Sequence, residues 1–170
     1  MVKITKEFTP EELKGAVEAF RKKYESGNLD GKEDAVLFYK ALAEAYFLSK
    51  NNDDSDKQEY AETLDDDVEE YTSLAYAIEV RGGPKICLLM KEGEFKFGLW
   101  EGPYQEVPGY KQNVYMEMTP GTNLQIMKGN PNTEAQFFSG DLTVKGPLKL
   151  AVKPREWIYA FFEFLGIELD

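Results

Sequence analysis

Residues that could take part in chemistry are few in this chain of 170 residues. There is no histidine, which removes the most common general base, the most common transition-metal ligand and every triad that needs an imidazole. The single cysteine, Cys87, lies beside Leu88 in a predicted strand without a nearby base, so we expect a small buried hydrophobic side chain. With no paired acids, phosphate loop or nucleophile motif, the sequence predicts a non-enzymatic protein without a cofactor.

Acidic residues, the other candidates for chemistry, are concentrated in one stretch. Residues 53–70 hold ten acidic residues and Lys57 alone among bases, so the stretch carries −9 of the net charge of −11. Residues 51–62 have the length and several oxygen-bearing positions of a calcium loop, but Asp56 occupies the position where that loop needs glycine. We therefore predict a solvated acidic face and no metal site.

The overall composition is typical of one globular domain. Apolar residues make up 42% and aromatic residues 14% of the chain, and a chain of this length buries about 70% of its unfolded surface. No run of eighteen apolar residues is present, and residues 1–7 lack the apolar core of a signal peptide. Because that core is missing and a single cysteine cannot form an internal disulfide, we expect a cytoplasmic protein. The acidic balance, without clustered lysine and arginine, predicts no nucleic-acid partner and no stable membrane insertion.

The front of the chain is predicted to be helical. Thr9 and Glu12 have the spacing of a capping box, which predicts a helix over residues 10–26. A second helix is predicted over residues 31–50, paired antiparallel with the first. A third amphipathic helix is predicted within residues 53–70, frayed by the repulsion of its own charges.

From Tyr71 onward the apolar period changes to two, which is typical of strands. Glycine turns separate the first three strands, so these should form an antiparallel meander. Thr119-Pro120 predicts the start of a helix that ends near Gly129. The strands are predicted at residues 74–80, 86–90, 95–99, 114–118 and 141–145, and helical sequence follows from Pro147, interrupted at Pro154.

The segment Phe137–Leu148 combines an aromatic pair, a strand between two glycines and the start of a helix. Gly140 allows a turn, and Leu142 and Val144 fall on one face of the short strand. Gly146-Pro147 then ends the strand and starts a helix. The pattern indicates either an apolar wall beside a movable helix or an ordinary strand-to-helix corner within a core.

This segment resembles the closing motif of the sterol carrier protein 2 family. The order of elements over residues 71–170 is also similar to that family's order, and Lys128-Gly129 with a nearby Asn-Pro resembles the exit of its central helix. The resemblance implies an α+β fold: a five-stranded, mostly antiparallel sheet covered on one face by helices. Residues 1–70 would then form an N-terminal helical segment packed on the same domain.

The resemblance also implies a function, which is binding and possibly transfer of a lipid or acyl-chain ligand in an apolar tunnel between sheet and helices. Because residues 168–170 are not a peroxisomal tripeptide, we expect a prokaryotic relative. The ligand-lining residues that we infer from the resemblance and from the apolar closing helix are Leu124, Ile126, Met127, Phe137, Phe138, Leu142, Val144, Leu148, Trp157 and Phe161.

The closing segment, residues 157–165, is apolar nearly all round, so something must cover both of its sides. Burial between the sheet and the N-terminal helices, a homodimer interface and a tunnel wall all remain open. The alternative function is a protein-interaction or dimerisation module with a filled core. Such a module would dock on a larger enzyme through the acidic segment and this apolar helix.

Overall fold

The fold is an α+β arrangement, seen in a computed structural model that describes residues 2–70 and 73–169. Within these residues the chain forms six strands and eight α-helices. In chain order they are β1 Lys3–Glu7, α1 Pro10–Leu13, α2 Ala16–Ser26, α3 Ala35–Lys50, α4 Glu59–Glu70 after a 3₁₀ turn at Ser55–Gln58, β2 Ser73–Val80, β3 Lys85–Lys91, β4 Glu94–Glu101, β5 Gln112–Met118, α5 Pro120–Met127, α6 Glu134–Ser139, β6 Leu142–Lys145, α7 Leu148–Ala151 and α8 Lys153–Leu165.

All six strands belong to one mixed sheet with the order β1-β4-β3-β2-β5-β6. Strands β2, β3 and β4 pair antiparallel, which confirms the predicted meander. After β4 the chain returns to the other side of β2, where β5 pairs parallel to it with Tyr76 opposite Val114. Strand β6 then pairs antiparallel with β5 and forms one edge of the sheet.

The predicted number of five strands was wrong, because strand β1 adds a sixth at the other edge. All but one of the residues of β1 are exposed. Its sequence therefore has no alternation of apolar and polar residues from which a strand could be predicted. The strand forms by pairing with β4, where Gly98 lies opposite Glu7. A side chain at Gly98 would lie 2.2 Å from the carbonyl oxygen of Lys6, so glycine is needed for this close approach.

The alternation of strand residues divides the apolar side chains between two faces, as the period of two predicts. Leu74, Tyr76, Ile78 and Val80 of β2 lie on the face where the helices pack, here called the helix-covered face. The opposite face carries a smaller cluster around Trp100 that includes residues of the segment 102–111. The larger core, and with it most of the packing energy, therefore lies between the sheet and the helices.

The helix predicted over residues 10–26 is broken into α1 and α2. Thr9 caps α1 with the predicted capping box, but the chain turns at Gly15, which has a left-handed conformation with φ 86°. Helix α2 has no side-chain cap of its own. Instead the Glu44 carboxylate on α3 accepts hydrogen bonds of 2.8 Å from the backbone N–H groups of Gly15 and Val17.

Helix α3 begins at Ala35, four residues later than predicted. Residues 31–34 form a turn, in which the Asp30 carboxylate accepts hydrogen bonds from the backbone N–H groups of Lys32 and Glu33. The predicted third helix is present as α4, with Tyr60 and Leu64 buried. Val68, which belongs to the same predicted stripe, has a side chain outside the described part of the structure.

Glu44 provides a test of this arrangement. The substitution Glu44→Ala leaves two backbone N–H donors at the start of α2 without acceptors. We therefore expect the free energy of unfolding to fall by about 1–3 kcal/mol. Urea unfolding followed by circular dichroism measures this change. The control is Glu11→Ala, which removes an exposed carboxylate and should change stability by less than about 0.5 kcal/mol. Equal losses in the two variants would contradict the capping role of Glu44.

Candidate ligand-binding cleft

An open apolar cleft of about 490 Å³ lies at the β6 edge of the helix-covered face. Its floor is formed by β5 and β6, and its walls come from α5, α6, α7 and α8. The residues that line it are Met116, Met118, Ile126, Pro131, Thr133, Glu134, Phe137, Phe138, Leu142, Val144, Leu148, Ala151, Val152, Pro154, Arg155 and Ile158. Most of these side chains are apolar, so the cleft suits an apolar occupant.

The floor of the cleft follows from the pairing of the two edge strands. Met116 lies opposite Val144, and Met118 lies opposite Leu142, so four apolar side chains point to the helix-covered face. Thr119 follows directly after β5 and caps α5, because its hydroxyl accepts a hydrogen bond from the Thr122 backbone N–H. The predicted helix start at Thr119 is therefore confirmed, and it turns the chain from the floor into a wall.

Helix α6, which the sequence did not predict, forms the outer wall. The side chain of Gln125 on α5 holds it in place: Gln125 donates to the Asn132 carbonyl, and its own carbonyl accepts from Gln136. Gly140 ends the helix in a left-handed conformation. The two aromatic residues of α6 face outward at the mouth of the cleft, where Phe137 is 43% and Phe138 84% exposed.

The corner after β6 has the form that the sequence predicts. Strand β6 ends at Lys145, and α7 begins at Leu148 directly after Pro147. Gly146 between them has φ 119°, and a side chain there would lie 2.5 Å from the carbonyl oxygen of Asn113. Glycine is therefore required for β6 to run close to β5 and then leave the sheet at once.

The structure brings together six of the ten predicted ligand-lining residues. The six that line this cleft are Ile126, Phe137, Phe138, Leu142, Val144 and Leu148. The other four lie outside it: Leu124 is half-buried on α5, while Met127, Trp157 and Phe161 are buried in the core between sheet and helices. The Met127 sulfur accepts a hydrogen bond from the Asn123 side chain at 3.3 Å, which fixes it within that core.

Trp157 and Phe161 lie on the side of α8 that is covered by other helices and by the sheet. The Trp157 indole N–H donates to Asp67 of α4 at 2.6 Å, and its ring lies 5.4 Å from the ring of Tyr76. The Phe161 ring packs against Phe38 on α3 at 5.9 Å, with a contact of similar length to Phe20 on α2. Of the three interpretations left open for this segment, the structure shows burial between the sheet and the N-terminal helices.

Sequence reasoning missed several residues of the cleft. Met116 and Met118 line the floor, whereas Met127 is the one methionine among the predicted ligand-lining residues. Ile158 and Arg155 give no separate signal in the sequence. A second cleft of about 590 Å³ lies near the other sheet edge, lined by α1, α3 and β4, and it too was not predicted.

Groups suited to metal binding or nucleophilic chemistry are few in the described ranges 2–70 and 73–169. No group of three or more histidine, cysteine, aspartate or glutamate side chains there is placed to hold a metal ion. Burial raises the pKa of the Cys87 thiol to about 12, so the thiol stays protonated at neutral pH. No helix in these ranges is long and apolar enough to cross a bilayer.

The fold and the cleft define an α+β domain that leaves an open apolar site at one edge of its sheet. The chain belongs to the SCP-2 sterol transfer family, whose family model matches residues 54–156. This match confirms the resemblance noted in the sequence, and it begins early enough to include α4. A search of curated proteins finds no match.

Solved structures of sterol carrier proteins are similar to the chain at low identity. Sterol carrier protein 2 from Yarrowia lipolytica is 16% identical with a TM-score of 0.46, over 78% of this chain and 94% of that one. Sterol carrier protein domain 2 of Helicoverpa armigera is 20% identical with a TM-score of 0.39, over 66% and 87%. A conserved hypothetical protein from Thermus thermophilus is 17% identical with a TM-score of 0.42, over 73% and 86%.

The positions of Phe161 and Phe138 predict opposite effects on stability. Phe161→Ala removes a fully buried ring and should lower the free energy of unfolding by about 3–5 kcal/mol. Phe138→Ala removes a ring that already lies in solvent and should change it by less than about 0.5 kcal/mol. Urea unfolding of the two variants compares these values. A large loss for Phe138→Ala would show that α6 packs more closely than the structure indicates.

Proposed function

We propose that the protein binds a lipid by enclosing its acyl chain, or a similar apolar group, in the cleft between β5, β6 and the surrounding helices. The observation that carries this proposal is an apolar cleft that is open to solvent, while the core beside it is filled with side chains. Its volume of about 490 Å³ falls in the range of ordinary small-molecule sites. Membership of the SCP-2 sterol transfer family supports lipid binding or transfer in general.

Burial of an acyl chain against the apolar lining supplies enough free energy for binding by itself. Burying about ten methylene groups at about 0.8 kcal/mol each contributes about 8 kcal/mol, which corresponds to micromolar affinity before ordering costs are subtracted. Met116 and Met118 in the floor have flexible, unbranched side chains that adapt to ligands of different shape. The proposed role is therefore binding and release, not catalysis.

Transfer requires that the ligand enter and leave, and the position of the cleft supports this. The cleft opens at the surface beside Phe138 and Leu148, which are 84% and 62% exposed. An acyl chain leaving the floor would pass these apolar side chains before it reached water. The amide hydrogen bonds of Gln125 that join α5 to Gln136 and to the segment before α6 are side-chain bonds outside the sheet, so breaking them requires no break in the sheet.

Lipid extraction and a filled-cleft variant test the proposal. Mass spectrometry of an organic-solvent extract of the purified protein should detect a co-purified lipid. In Val144→Phe, a larger side chain occupies the floor of the cleft and excludes part of the acyl chain. We expect the affinity for a fluorescent acyl probe to fall at least about tenfold. A tenfold loss corresponds to the free energy of burying fewer than about two methylene groups. Fluorescence titration measures this affinity.

The matched control enlarges a residue in the second cleft. Phe47 is half-buried there, and Phe47→Trp should leave the affinity for the acyl probe unchanged. If Phe47→Trp weakens binding and Val144→Phe does not, the ligand occupies the second cleft. If no lipid co-purifies and the probe does not bind the unmodified protein, the proposed function fails.

The alternative function, an interaction or dimerisation module, stays a prediction. Phe161 and Phe162 of α8 are fully buried within the chain, so this part of the helix offers no free surface to a partner. The measured solution mass tests the homodimer. The filled core that this alternative expects is present between the sheet and the helices but not in the cleft.

A further inference from the structure

The cleft contains a cationic side chain with one buried N–H group that has no hydrogen-bond partner among the described residues. Arg155, the third residue of α8, lines the cleft with a half-buried side chain. Its Nε atom is shielded from solvent and has no hydrogen-bond acceptor in the described part of the chain. Buried polar atoms normally have partners, so an unsatisfied donor beside an apolar floor calls for an acceptor from outside the chain.

The other arginines of the chain are placed differently. Arg81 forms an ion pair with Glu117 at 2.5 Å, and Arg21 lies 3.9 Å from the carboxylate of Glu18. No ion pair within the described ranges involves Arg155. Among the residues that the structure describes, Arg155 is therefore the arginine without an ion pair, and its Nε–H group is available to a ligand in the cleft.

Glu134 is the other charged residue that lines the cleft, and it could in principle be the missing partner. It lies at the start of α6, where it is exposed to solvent, and no ion pair connects it with Arg155. Gln136 on the same helix also has a buried atom without a partner, but this atom is a carbonyl oxygen and does not line the cleft. The unsatisfied group inside the cleft is thus a donor with a positive charge.

A guanidinium is suited to oxygen anions. Its planar arrangement of N–H groups matches carboxylate and phosphate, and such charge-assisted hydrogen bonds are stronger than neutral ones. Inside a cleft with apolar walls the interaction is screened less than it would be in water. Arg155 stands beside Pro154 and Ile158 on the wall, so an anion bound there would leave the apolar floor free for a chain.

We propose that the lipid carries an acidic headgroup, a carboxylate or a phosphate, which accepts hydrogen bonds from Arg155 while its chain lies on the floor around Met116 and Val144. This inference rests on the proposed function, because it assigns a headgroup to the ligand of the same cleft. It makes Arg155 the residue that distinguishes acidic lipids from neutral ones of equal chain length.

Ligands that differ only in the headgroup test the proposal. Dodecanoate, dodecyl phosphate and dodecanol are compared by displacement of an uncharged fluorescent acyl probe. We expect at least one acidic ligand to bind the unmodified protein roughly ten to a hundred times more tightly than dodecanol, since a hydrogen bond to a charged group has this magnitude. Arg155→Met should abolish that preference, while Arg155→Lys should restore part of it.

Lys149→Met is the matched control, because it removes an exposed positive charge from α7, outside the lining of the cleft. It should keep the full preference for acidic ligands, and a loss in this variant equal to that in Arg155→Met would overturn the role of Arg155. The preference is measured first on the unmodified protein, so it does not depend on the folding of any variant. Urea unfolding confirms that the variants are folded.

The outcomes separate this inference from the proposed function. If dodecanol binds and neither acidic ligand binds more tightly, the acidic headgroup is refuted while lipid binding stands. If none of the three ligands binds, the proposed function itself fails. Inorganic phosphate and acetate are titrated as free anions, and binding of either one as tight as that of the matching acidic lipid would overturn the assignment to a lipid headgroup.

Discussion

The parallel pairing of β2 with β5 is the interaction on which the rest of the structure depends. Parallel neighbours cannot be joined by a tight hairpin, so the chain runs through β3, β4 and the segment 102–111 before it returns. This detour places β5, and then β6, at the sheet edge that is remote from the N-terminal strand. Helices α5 and α6 connect β5 to β6, and for this reason they stand over the two strands that form the floor of the cleft.

Local patterns predicted the elements that are formed by neighbouring residues. The meander strands, the start of α5 at Thr119 and the corner at Gly146 were confirmed, because period, capping and chain reversal are properties of short segments. Strand β1 was missed because only its pairing with β4 makes it a strand. Trp157 and Phe161 were assigned to the ligand site because a helix that is apolar nearly all round does not show which side faces a cavity. Arg155 is a single residue without a pattern, and only the structure shows that it lacks a partner.

The interior of the domain and its edges differ in packing. Between the sheet and α8 the rings of Phe161, Trp157 and Tyr76 fill the space, with Phe38 and Phe20 behind them. The two large clefts lie to either side of this filled region, one near β4 and one at β6. The rings form the closely packed interior of the fold, and both clefts lie outside it.

The two edge strands have a consequence for association between molecules. An exposed strand edge offers unpaired backbone groups to other chains, and a protein with apolar side chains at its surface is at greater risk of such pairing. Strand β1 carries Lys3, Lys6 and Glu7 and has an irregular register against β4, while β6 has only four residues and ends in Lys145. Charge, irregularity and shortness each oppose edge-to-edge pairing. The chain can expose the rings of α6 to water and still resist aggregation through its sheet.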